Sequence, residues 1–139
     1  AVVTAVLKKS GHMQDVIRIA STRAFLDTVK LDHAVWKNCI YQQLEDKNFD
    51  AAVNTHSECR LGAWYYKGDG RDRFSHMRSF SALEAPHKMV HDFGRQAMTS
   101  GKQEDLKNII SSVNSMESSS EEVVHQIERL MDEIIQTEK

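Results

Sequence analysis

The chain has 139 residues, 40% of them apolar, and a formal net charge of -2. That length supports one domain with a core of its own, and the charge balance excludes a general pull toward nucleic acid or anionic lipid. Two cysteines exclude a disulfide scaffold and fit a reducing cytoplasm; no membrane-length apolar run is present, and no signal peptide is expected.

One proline and six glycines leave room for long uninterrupted helices. Residues 1–13 lack an initiator Met, and Ser10-Gly11-His12-Met13 reads equally as a cloning remnant or a native linker, so His12 is set aside. Residues 14–139 are expected to form a single helical domain. From Asp15 to about Asp46 there is no Gly or Pro, and Val29, His33, Trp36, Ile40 and Leu44 step by four and three along one face. The pattern predicts one long helix, ended by Lys47-Asn48.

A connection over 48–54 precedes a second helix, which is expected to start near Asn54 or Thr55 and to carry His56, Cys59, Leu61 and Trp64. Lys67-Gly68-Asp69-Gly70 has the chemistry of a loop, and Phe74, Met77 and Phe80 suggest a short helical piece after it. Ser81-Ala82-Leu83-Glu84 has the capping-box pattern, so the next helix starts at Ser81 or near Pro86 and runs to about Ser100, with Gly101 as its stop. From about Gln103 a last helix shows a heptad seam of Ile109, Val113, Met116, Ser120, Val123, Ile127, Leu130 and Ile134. Its Ser118–Ser120 cluster is too short for a linker. Acidic positions such as Glu121, Glu122, Glu128, Asp132 and Glu133 read as its solvated side. The sum is an all-α bundle of about four main helices.

Seven histidines hold the candidate chemistry. His87 and His91, at i and i+4 on one helix, point the same way and can share a metal ion. Val90 and Gly94 lie on that face, so the pair looks inward. His33 sits in an apolar stripe, where an unpartnered imidazole costs roughly 1–3 kcal/mol. Cys59 is the natural fourth ligand, with the small Gly62 beside it. Three nitrogens and a sulfur from three helices suit zinc, and such a site would contribute folding energy. Hydrogen-bonded core histidines are the competing reading. His56 is a rival ligand; Cys39, about 120° off the stripe, is expected to be a packed thiol; His76 falls in an uncertain segment; and His125 is expected to be solvated. Trp36 and Trp64-Tyr65-Tyr66 are expected in the core, where they could also shield the metal.

Three blocks carry a family resemblance: Leu31-Asp32-His33-Ala34-Val35-Trp36-Lys37, Cys59-Arg60-Leu61-Gly62-Ala63-Trp64-Tyr65-Tyr66, and Pro86-His87-Lys88-Met89-Val90-His91. In the patterns H-x-x-W-K, C-x-x-G-x-W-Y and H-x-x-x-H they resemble the chemoreceptor zinc-binding domain, over roughly residues 25–100. The resemblance implies zinc held by His33, Cys59, His87 and His91. It implies a bacterial, cytoplasmic homodimer attached to the signalling domain of a longer protein, usually a methyl-accepting chemotaxis receptor and sometimes a diguanylate cyclase. It also implies sensing of zinc or of oxidants such as hypochlorous acid, with Cys59 as the reactive group. Ala24-Phe25-Leu26-Asp27-Thr28-Val29-Lys30 resembles receptor-linked members. The helix after Gln103 lies outside the blocks and could be further bundle, dimer interface or a connection.

Three functions compete: a sensory module, a purely structural zinc module and a metalloenzyme. Four protein ligands leave no open water position, and the His pair lacks an obvious general base, with Glu84 the nearest carboxylate. The expected function is therefore regulatory rather than enzymatic, with no nucleic-acid partner and no membrane contact by this domain.

Overall fold

Three long helices carry the structure, a computed structural model that describes residues 2–138, without the side chains of residues 2, 4–10 and 138. They are α1 (Val2–Glu45), α4 (Arg78–Lys102) and α5 (Leu106–Glu138); α2 (Arg60–Lys67) and α3 (Asp69–Phe74) are short. The all-α bundle expected from the periodicity is present. It is built from three long and two short helices rather than four main ones.

Helix α1 begins before Asp15, because Ser10 and Gly11 continue the same helix. A helical glycine costs only about 1 kcal/mol, too little to break a long run. The helix ends in a Schellman turn. Lys47 takes the left-handed conformation (φ 57°) and its N–H donates to Leu44 O, while Asn48 N–H donates to Gln43 O. The end of α4 repeats the motif at Glu104 (φ 57°), with Glu104 N–H on Gly101 O and Asp105 N–H on Ser100 O. So Gly101 is not the stop. It is a point of close approach, where a Cβ would stand 2.3 Å from the Phe49 ring.

Helix α4 starts at Arg78, and Pro86 lies inside it, which corrects both sequence-based starts. Glu133 of α5 supplies the missing cap by accepting from the Ser79 N–H at 3.1 Å. The expected loop at 67–70 shrinks to Gly68, with Gly70 inside α3 against the Trp64 indole. Packing overrides turn chemistry there, since any Cβ at residue 70 would lie 2.6 Å from that ring.

The α4–α5 pairing is the most extensive in the fold. Met116, Val123, Ile127, Leu130 and Ile134 of the predicted seam are buried, so that seam serves the bundle itself. Ser119 and Ser120 are buried in mid-helix. On the side of α5 expected to be solvated, Glu121, Glu122 and Asp132 are exposed, while Glu128 pairs with Arg23 and Lys30 of α1. Val29 and Ile40 bring α1 onto the core at the level of the histidines. Among the described residues no helix is long and apolar enough to cross a membrane.

Candidate metal centre

His33 enters the site from α1, 5% exposed, with its Nδ1 2.9 Å from Val29 O. A carbonyl oxygen only accepts, so Nδ1 carries the proton and the Nε2 lone pair faces inward. His91, fully buried on α4, repeats the arrangement. Its Nδ1–H donates to Asn54 O at 2.8 Å, which ties the 48–59 connection to α4 and turns Nε2 toward His33. The two Nε2 atoms are 3.3 Å apart. Trp36 packs over the His91 ring at 4.4 Å between centroids, in a space Gly94 leaves open. Trp36, expected in the core, is half-buried and packs against it.

Cys59 is not inside a helix, as the expected start near Asn54 or Thr55 required. It is the N-cap of α2, with extended backbone, and its Sγ accepts from the Gly62 N–H at 3.4 Å. The preceding residues form a separate turn, with Glu58 N–H on Thr55 O and Thr55 N–H on the Glu58 carboxylate. Gly62 is required because a Cβ there would meet His56 O at 2.1 Å. This turn presents Sγ 3.2 Å from the Nε2 of His87, which is 2% exposed.

The four donor atoms of His33, Cys59, His87 and His91 lie within 4.8 Å of one another. The sequence-based ligand set thus converges, drawn from α1, α4 and the start of α2. Burial, reinforced by the neighbouring imidazoles, pushes the His87 pKa down to about 2. Burial likewise pushes His91 down to about 4, and lowers His33. Burial raises the Cys59 thiol against the helix-end N–H groups that favour the thiolate. The site therefore gathers neutral imidazoles, two with lone pairs directed at each other, and such a set is complemented by a cation. Three nitrogens and one sulfur in tetrahedral number fit zinc.

Other candidates stand apart. Cys39 is exposed, not packed as expected, because at its offset the α1 surface faces solvent. His76 is exposed, as is His125, where solvation was expected. His56 is half-buried with its ring 5.9 Å from that of His87, outside the four-atom group. Glu84 is exposed and accepts from the Tyr66 hydroxyl at 2.8 Å, turned to that partner.

The sequence reading missed Asp32 and Arg60. Together with Asn54 and Glu58 they line a cavity of about 300 Å³ that opens onto His33, Cys59 and His91. Arg60 Nε stands 3.3 Å from the buried Asp32 Oδ2. Their only signal in the chain was adjacency to His33 and Cys59.

The sequence model of the chemoreceptor zinc-binding domain family matches residues 33–98, a span that starts at His33 and encloses Cys59, His87 and His91. No curated protein and no solved structure matches the chain.

Proposed function

We propose that this chain, whose residues 33–98 match the zinc-binding domain of chemoreceptors, holds one zinc ion through His33, Cys59, His87 and His91 and regulates a larger signalling protein. The observation that carries the reading is the convergence of four donor atoms within 4.8 Å, two of them on rings whose other nitrogen is already committed to a carbonyl. Such outer contacts fix the tautomer and aim the ligand. Bound zinc supplies the charge that keeps the Cys59 thiol deprotonated at neutral pH.

The residues around Cys59 make it a switch. As the N-cap of α2, its sulfur anchors the start of α2 to α4. Hypochlorous acid transfers oxygen to the thiolate, giving a sulfenic acid and chloride. The oxidised sulfur has lost its charge and its hold on the site. The change then reaches α4 through Tyr65, whose hydroxyl donates to Phe80 O at 2.8 Å and whose ring stacks on Phe80 at 4.0 Å. The size of any response is bounded by how differently the two sulfur states favour the two conformations.

The attached partner is the signalling part of a bacterial cytoplasmic chemotaxis receptor, or in the second instance a diguanylate cyclase. A homodimer is supported by apolar residues left exposed on α1, among them Ile17 (58%), Leu31 (68%) and Val35 (62%). Four ligands leave no position for a reacting water, which favours regulation over catalysis. A purely structural zinc module is the second reading, favoured by the depth of His87 and His91.

The test is a titration with hypochlorous acid in a Cys39→Ser background, followed by mass spectrometry of Cys59. The switch requires Cys59 to oxidise at near-stoichiometric oxidant. An untouched thiol on a zinc-loaded domain leaves the structural reading.

A further inference from the structure

His56 lies next to the four-ligand group without belonging to it. Its ring stands 5.9 Å from the His87 ring at an interplanar angle of 82°. The rings within the group have nearly the same relationship: His33 and His87 are 4.9 Å apart at 82°, and His87 and His91 are 5.0 Å apart at 86°. The centre of the His56 ring thus stands about 1 Å further from the His87 ring than those of His33 and His91 do. Its backbone belongs to the turn that presents Cys59, whose Sγ is 3.5 Å from His56 O. It sits in the connection between α1 and α2, outside any helix, and its other neighbour is the Tyr66 ring at 5.7 Å. Among the described residues no hydrogen bond holds the imidazole.

We propose that His56 is a reserve ligand, which takes the place of Cys59 on the metal when the thiolate is lost and converts the three-histidine, one-cysteine site into a four-histidine site. The inference rests on the zinc reading given above. The exchange changes no oxidation state. The sulfur, as sulfenic acid, gives up its bond to the cation and one neutral imidazole nitrogen of His56 makes one, so the positive charge stays in place. Zinc takes both imidazole and thiolate ligands at tetrahedral sites. The consequence is a sensor that changes the anchoring of α2 without losing its metal, and that can be reset by a thiol reductant.

The test compares zinc affinity, by chelator competition, in four versions of this 139-residue chain: wild type, Cys59→Ser, His56→Phe, and the double variant. Phenylalanine keeps an aromatic ring against His87 and Tyr66 but offers no donor atom. The wild type and His56→Phe should bind zinc equally, because His56 is idle while Cys59 is present. Cys59→Ser should still bind one zinc, and the double variant should bind at least about tenfold more weakly than Cys59→Ser, since losing even an outer partner of a ligand costs roughly 10–100-fold. Zinc X-ray absorption should count four imidazoles in Cys59→Ser and three in the double variant. Equal affinities and three imidazoles in both would overturn the proposal. A wild type that binds no zinc would instead show that the underlying metal reading is wrong, and this inference would fall with it.

Discussion

His33 and His91 face each other through their Nε2 atoms at 3.3 Å, and each donates its Nδ1–H to a backbone carbonyl. Two neutral imidazoles in that pose present lone pair to lone pair. A metal cation between them would relieve that repulsion, whereas burial disfavours a proton there.

Acid should destabilise the metal-free domain. His91 has a folded-state pKa of about 4 against its ordinary 6.5, so the unfolded chain binds more protons below pH 6.5. Stability should be full above about pH 6.5 and should fall as pH drops toward 4, by on the order of 3 kcal/mol from His91. His87, depressed further, extends the loss to lower pH. Thermal unfolding in chelator from pH 8 to pH 4 checks this, and a flat profile would contradict it.

Gly94→Ala and Gly11→Ala should have opposite effects. A Cβ on Gly94 would lie 2.4 Å from Trp36 Cη2, and Trp36 covers His91. The substitution should cost about 1–3 kcal/mol and weaken metal binding. Gly11 has nothing within 4 Å of its Cβ position, so alanine there should be neutral or stabilising by up to about 1 kcal/mol. Melting temperatures of the two variants decide the matter.

Ser112→Ala should stabilise the fold. The Ser112 hydroxyl is buried on α5, 2% exposed, and has no hydrogen-bond partner among the described residues. Removing it leaves a methyl in the same space and relieves roughly 1 kcal/mol of unpaired polarity. Denaturant unfolding should show a higher midpoint with an unchanged slope.

The two thiols should react in sequence. Cys39 is exposed, and Cys59 is half-buried against His87. A thiol reagent should label one cysteine in the zinc-loaded protein and a second after chelator is added. Immediate labelling of both would mean that Cys59 is not held.

The heptad seam of α5 and the stripe of α1 were legible because each is long and strictly periodic, and burial follows that periodicity at Val29, His33, Ile40, Met116, Ile127 and Ile134. The ligand set was legible for the same reason, since the i, i+4 spacing of His87 and His91 survives any shift of helix ends. Helix boundaries were not. Gly68, Gly70 and Gly101 look like breakers in the chain, but Gly70 and Gly101 are set by rings that come from elsewhere in the fold, Trp64 and Phe49. The N-cap role of Cys59 was hidden because a thiol is an uncommon cap and Thr55 a common one. Asp32 and Arg60 meet across 28 positions of sequence, a distance at which neither periodicity nor capping speaks.

The most direct measurement is the metal content of the purified domain, by elemental analysis, for the wild type and for His87→Ala. Convergence of four side chains on one cation predicts one zinc per wild-type chain and a clear loss in the variant. Zinc-free wild-type protein that is fully folded, or equal zinc in both, would contradict it.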